Sequence, residues 1–199
     1  IYIVPADGSA APKLVRRSGL QPRFDVSGRR LFLYDRKGEK FVLLSVDLEG
    51  GDEFVHFQSD NAMQVVPSPD GRWVAFDERY RLYVAPFPQT GRTVDLGPDV
   101  QAYPVARVSR DSGFYLHWSG DSRKVYWALG PELFARDLAR TFPFLNQSLA
   151  KPDEPEVTGV PIGFTGKSDT PAGTVAIVGA RIITMARTGS GGKDAPVIE

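Results

Sequence analysis

The chain contains no cysteine, which removes disulfides and thiolate metal sites and leaves the compartment open. Its only two histidines, His56 and His117, lie far apart and have no partner at metal-ligand spacing, so neither is expected to hold a metal. No run of ~18 apolar residues occurs, and no membrane-spanning helix is expected. Net charge is lacking too. Twenty-four Lys and Arg against 24 Asp and Glu give a formal charge of +0, which argues against a nucleic-acid or anionic-membrane surface. The absence of a Gly-x-Ser-x-Gly elbow counts against an encoded serine peptidase. The opening Ile1-Tyr2-Ile3-Val4-Pro5 has no initiator Met and no basic leader; it reads as a strand already under way, and a segment of a longer protein is expected.

What is present favours β-structure. With 199 residues, 42% of them hydrophobic, the chain can bury a core as one domain or two small ones. Sixteen Pro and 20 Gly beside 12 Phe and 7 Tyr suit short strands joined by turns. The clearest unit is Val65 to Phe76. Pro69 presets φ for a tight turn, Asp70 can bond backbone two residues on, and Gly71 supplies the φ > 0 position. Trp73-Val74-Ala75-Phe76 then runs apolar on both faces, which predicts a strand covered from both sides.

This unit repeats. Asp25 to Tyr34 and Ser119 to Trp127 match it when Arg29, Arg72 and Arg123 are aligned, at spacings of 43 and 51 residues. Leu82-Tyr83-Val84 and Leu133-Phe134-Ala135 follow at one offset, Leu44-Ser45-Val46 is the first repeat's version, and Ile1 to Pro5 is the tail of another. A period of ~40 to 50 residues built from four short strands is the pattern of β-propeller blades. The expected fold is therefore all-β, a partial propeller of about three four-stranded blades plus a remnant over 1–140. Asp99 to Gly113 is expected to be a loop or an extra hairpin.

The Ser68-Pro69-Asp70-Gly71-Arg72 turn, its apolar strand and Leu82-Tyr83-Val84 resemble the TolB-type, WD40-like propeller repeat. The resemblance implies the fold and says little of function, since TolB, tricorn-like proteases and prolyl oligopeptidases share it. The first copy departs with Val26-Ser27 in place of Pro-Asp, and the third with Gly120 and Ser122 in place of Pro and Gly; looser turns are expected there.

Residues 141–170 form a Pro-rich linker in which Glu156 to Phe164 can add an edge strand. Residues 171–199 hold Val175 to Val178 and Arg181 to Met185, read as a bent strand or tight hairpin, and Asp194 to Glu199, read as a further strand. Gly179-Ala180-Arg181-Ile182-Ile183-Thr184-Met185 resembles the opening sandwich strands of metal-dependent amidohydrolases of the imidazolonepropionase-like group. That resemblance implies that 171–199 begins a small β-sandwich, whose (β/α)8 barrel with its divalent metal, zinc, would follow outside this chain. It also implies the rest of the polypeptide as partner and a periplasmic or secreted bacterial location.

Inside the chain no catalytic, cofactor-binding or metal residue is assigned. His56 is expected at a blade surface, and His117, beside Trp118, in the packed core. Asp25, Asp70 and Asp121 are expected to stabilise turns, Arg29, Arg72 and Arg123 to be solvated or hydrogen-bonded between blades, and nothing in the spacing pairs Asp35, Asp47, Glu132 and Asp137. Tyr80, Tyr103 and Trp118 are candidates for a recognition surface. Gly189 to Lys193 fails as a phosphate loop because Asp194 stands where Ser or Thr is required, and Asn146-Gln147-Ser148 fits a glycosylation acceptor. Two functions follow: the non-catalytic propeller portion of an amidohydrolase acting on C–N bonds, or a TolB-like module binding a protein or peptide. Self-association through open blade edges is expected in either case.

Overall fold

A computed structural model describes residues 1–146, 151–170, 172–174, 176, 178–179, 182–183 and 197–198. The chain divides into two compact units, Ile1–Gly163 and Phe164–Glu199. The strands of the first unit are β1 (Tyr2–Ile3), β2 (Lys13–Leu14), β3 (Leu20–Phe24), β4 (Arg30–Lys37), β5 (Lys40–Asp47), β6 (Phe54–Ser59), β7 (Val65–Pro67), β8 (Trp73–Glu78), β9 (Arg81–Pro86), β10 (Val94–Asp95), β11 (Ala106–Arg107), β12 (Phe114–Trp118), β13 (Lys124–Leu129), β14 (Glu132–Asp137) and β15 (Val160–Pro161). They form a β1-β2 pair and three sheets ordered β3-β4-β5-β6 with β10 added in parallel to β6, β7-β8-β9-β11, and β12-β13-β14-β15. The three are successive antiparallel four-stranded meanders, in each of which a turn of the Ser-Pro-Asp-Gly kind joins the first strand to the second. The chain is an all-β partial propeller of three blades and a remnant.

Side chains alternate across each middle strand, and in the first two blades both sets are largely buried. Trp73 and Ala75 join Val125, Trp127 and Phe134 of the third blade, while Val74 and Phe76 join Phe32, Leu43 and Phe57 of the first. On the first blade, Leu31, Leu33, Val42 and Leu44 turn the other way and pack on Ile1, Ile3 and Val15 of the remnant. Each fully buried aliphatic or aromatic side chain contributes about 1.5–3 kcal/mol, so the contacts between blades dominate stability. The third blade's second face, with His117, Lys124 and Ala135 exposed and Tyr126 half-buried, has no such cover among the described residues.

Two outer strands come from outside the repeat units, one from the segment expected as a loop or extra hairpin and one from the edge strand expected within Glu156 to Phe164. Asp99 to Gly113 is not merely a loop: it supplies β11, whose Ala106 and Arg107 pair with Val84 and Tyr83. Pairing with the free edge of β9 decides this, and no hydrophobic run marks it. The third blade takes its fourth strand from beyond the prolines, with Val160 opposite Leu133 and Pro161 opposite Glu132. The intervening segment is held by Arg136, a fully buried guanidinium that donates to the carbonyls of Arg140, Asp153 and Glu154 and to Thr141 Oγ1. Burial, then the Arg140 charge, pushes Arg136 below its ordinary pKa against the pull of Asp153, Glu156 and Glu154, and carbonyl dipoles offset the cost of desolvating the charge. Arg140 adds ion pairs to Asp153 and Glu156 at 2.6 and 3.0 Å.

The three turns share one hydrogen-bond frame despite their sequence differences. In the second and third, a Ser four residues before the Arg donates to an Asp two before it: Ser68 to Asp70 and Ser119 to Asp121, both at 2.6 Å. The first turn inverts the pair, and Ser27 donates to Asp25 at 2.6 Å. In every copy the earlier side chain then accepts from the strand's next N–H, that of Arg30, Trp73 or Lys124. The departures therefore do not loosen the turns. Ser122 takes the left-handed conformation (φ 60) that Gly28 and Gly71 hold in the other two (both φ 69), and its Oγ accepts from the Asp70 N–H at 3.0 Å, tying the third blade to the second.

The second unit contains β16 (Ile182–Ile183) antiparallel to β17 (Val197–Ile198), with Ile182 opposite Ile198. Ala176 and Val178 lie outside any strand. The remainder of the expected strands, with Gly189 to Lys193, Gln147 and Ser148, falls outside the described residues.

A Cβ at Gly71 would meet nothing within 4 Å, so Gly71→Val tests backbone strain alone and should cost about 1–2 kcal/mol, with Arg72→Ala costing much less. Ser122→Ala keeps the strain and loses the bond between blades, a loss of about 1 kcal/mol, whereas Ser122→Gly relieves strain and should be near neutral. Urea unfolding midpoints measure both contrasts. Equal destabilisation by Ser122→Ala and Ser122→Gly would contradict the strain assigned to the left-handed Ser122 backbone, and no loss in Ser122→Ala would contradict the stabilising role of the bond.

Candidate binding site on the inner strands

The chain comes into the first, inner strand of each blade, β3, β7 or β12, through equivalent points of the repeat. Leu20, Met63 and Phe114 stand nine residues ahead of Arg29, Arg72 and Arg123, and each is an apolar side chain left open to solvent, at 62%, 66% and 56% exposure. Gln21, Gln64 and Tyr115 follow, and these three line one cavity of ≈ 460 Å³ together with Arg23, Phe114 and His117. Large apolar side chains repeated at one exposed position are what a recognition surface requires and a folding core does not.

Backbone strain helps aim the site. Gln21 and Tyr115 hold φ of 52° and 58°, and each sits where its strand slips register against β4 or β13. Such bulges re-aim a side chain, and a non-glycine residue in the left-handed region costs of order 1 kcal/mol or more. Gln64 is placed otherwise. Asp77 Oδ1 accepts from the N–H groups of Met63 and Gln64 at 2.7 and 2.5 Å, and Gln64 Oε1 accepts from the Leu116 N–H at 3.3 Å. Burial holds the Asp77 carboxyl above its ordinary pKa against the pull of these two bonds.

His117 is not in the core. It is exposed, stacked on Tyr126 at 5.2 Å, with Nδ1 2.8 Å from the Tyr115 carbonyl. A carbonyl only accepts, so Nδ1 carries the hydrogen and Nε2 is left as an acceptor. Trp118 points the opposite way, buried, its indole N–H donating to the Val66 carbonyl at 2.9 Å. Tyr103 is half-buried and donates to the Asp95 carbonyl. Of the three aromatic candidates only Tyr80 is exposed, at the tip of the β8–β9 hairpin, where it and Arg79 both have φ > 0.

A second cleft, of ≈ 560 Å³, lies on the turn side among Asp70, Arg72, Asp121, Arg123 and Asp137. Its carboxylates are already engaged. Asp70 and Asp121 are held below the usual carboxylate range by turn hydrogen bonds, burial opposing at Asp70, and Asp137 caps the Ala139 N–H. Asp35 pairs with Arg16 at 2.9 Å, Asp47 closes the Gly51 turn, and Glu132 accepts from the Gly159 N–H.

His56 is half-buried rather than on a blade surface. Phe32, Phe54 and Phe87 surround its ring at 5.1, 4.8 and 5.2 Å, and its Nε2 lies 2.8 Å from Ser45 Oγ. Ser45 is fully buried and also accepts from Arg30 Nε, so this Ser-His contact offers no reachable nucleophile. Among the described residues no group of three or more His, Asp or Glu side chains could hold a metal ion. The inner-strand residues escaped sequence reasoning, although their signal was available as fixed offsets ahead of each turn Arg.

The fold defines an all-β propeller segment with a candidate binding cavity on its inner strands. No family model and no curated protein matches the chain. Among solved structures it is similar to a putative TolB from Agrobacterium tumefaciens, at 17% identity and TM-score 0.49, over 69% of this chain and 52% of that one. TolB from Acinetobacter baumannii matches at 15% identity and TM-score 0.42, over 71% and 47%. A protein from Lactobacillus plantarum matches at 17% and 0.41, over 81% and 49%. The chain spans about half the length of these structures.

Burial, then the Arg30 charge, pushes His56 down to about 4. The folded state thus favours the neutral ring: its stabilising effect is complete above the unfolded value near 6.5 and is lost as pH falls from there towards 4. Thermal melts should show the midpoint falling over that window, and His56→Gln should flatten the slope. An unchanged slope would contradict the assignment.

Proposed function

We propose that this chain is a TolB-like propeller binding module, and that a protein or peptide partner docks on the inner-strand end of its blades. The observation that carries the reading is the convergence of repeat-equivalent residues: exposed Leu20, Met63 and Phe114 beside a cavity shared by Gln21, Gln64 and Tyr115. Apolar anchors around a few polar groups are the usual make-up of a recognition pocket. The uncovered face of the third blade would meet a second copy or the rest of the polypeptide. The reading carries with it a periplasmic or secreted location.

A second reading keeps the amidohydrolase resemblance, in which the chain is the non-catalytic propeller portion of a C–N hydrolase. Its support is the run Gly179 to Met185 and the antiparallel pairing of Ile182–Ile183 with Val197–Ile198. The metal would then be held by residues outside this chain, and a His-x-His within about 40 residues beyond Glu199 would distinguish this reading.

Peptides selected from a displayed library on the full chain should lose about tenfold or more in affinity when Met63 and Phe114 are both changed to Ser. They should keep it when Arg72 and Arg123 become Ala. Selected peptides indifferent to Met63 and Phe114 would overturn the docking site.

A further inference from the structure

The inner-strand cavity carries unbalanced charge. Arg23 lines it, and no Asp or Glu does. Three other clefts all hold carboxylates: Asp70, Asp121 and Asp137 beside Arg72 and Arg123 on the turn side, Asp60, Glu78, Asp95 and Asp99 around Lys40, and Asp52 against Arg30 beside His56. No ion pair or side-chain hydrogen bond joins the Arg23 guanidinium to any described residue. Its side chain stays exposed, and partial desolvation alone pushes its pKa down, with no counter-charge to oppose it. Such a group is free to pair with an incoming anion.

The neighbours narrow what that anion belongs to. Gln64 spends its Oε1 on the Leu116 N–H, which leaves its amide NH₂ as a donor beside the cavity. His117 spends Nδ1 on the Tyr115 carbonyl, which leaves Nε2 as an acceptor suited to a peptide N–H. Exposed Phe114 and Tyr115 offer apolar surface alongside. Donors for an acid, an acceptor for an amide and an apolar flank together describe an acidic peptide.

Resting on the binding-module reading, we infer that the cavity takes an acidic peptide, with a side-chain carboxylate seated on Arg23 and an apolar neighbour against Phe114. The probe is the blocked peptide Ac-Ala-Glu-Leu-Glu-Ala-NH₂, titrated into the full chain while the arginine Nε–H and glutamine side-chain amide NMR signals are followed. It should bind saturably, with the Gln-for-Glu counterpart about tenfold weaker or worse. Added salt should weaken it. Arg23→Gln should abolish the preference for Glu, Arg23→Lys should keep part of it, and Arg72→Gln should leave it unchanged.

Equal binding of the Glu and Gln peptides, both weakened by Phe114→Ser, would overturn the carboxylate inference and leave the binding module standing. Tight binding of the Gln peptide only as its free acid would move the carboxylate to a peptide C-terminus and overturn the side-chain assignment. No binding of either peptide overturns the inference; failure of the module itself is read separately, from displayed peptides indifferent to Met63 and Phe114.

Discussion

Two-sided burial of thin sheets is the constraint on which this structure depends. A four-stranded sheet one layer thick cannot shield its own middle strands, so both faces must be apolar and both must be covered. Leu31 and Phe32, or Trp73 and Val74, are adjacent in sequence yet belong to different clusters on opposite sides of one sheet. Each blade is thus half of two cores. Stability passes from blade to blade, as in other stacked repeats, and the terminal layers are where that logic runs out.

The turns show how loosely sequence can specify a rigid feature. What the geometry needs is a hydroxyl donating to a carboxylate, with one of the pair four residues ahead of the Arg and the other two ahead. Ser68 with Asp70 and Asp25 with Ser27 meet that need in opposite orders. Ser122 is the costlier solution. Its left-handed backbone is unfavourable by about 1–2 kcal/mol, and the bond from the Asp70 N–H to its hydroxyl recovers a similar amount. Arg136 solves a related problem at the far edge of the third blade, where carbonyls rather than carboxylates hold a buried charge and fasten the proline-rich segment.

Electrostatics separates structural clefts from the one suited to a ligand. The turn-side cleft is the larger, yet its charges answer one another and its carboxylates are committed to backbone N–H groups. The inner-strand cavity is smaller, and it leaves a cation, an amide and an imidazole acceptor without such commitments. The left-handed φ of Gln21 and Tyr115 also falls in this cavity.

The sequence by itself determined the features that depend on local or periodic chemistry. The repeat, the turn at Ser68 to Arg72 and the two apolar faces of Trp73 to Phe76 were all legible, because backbone φ at Gly71 and alternation along a strand are properties of neighbouring residues. Tertiary structure alone decided the rest. Adjacent His117 and Trp118 point to opposite faces, and only the packing shows that one face is covered and the other open. The outer strand β11 is two residues long and exists because the β9 edge offers it hydrogen bonds, whereas β15 falls where the sequence already allowed an edge strand. The candidate site follows the same rule: Gln21, Gln64 and Tyr115 come from three repeats, and only the stacking of blades brings them to one cavity.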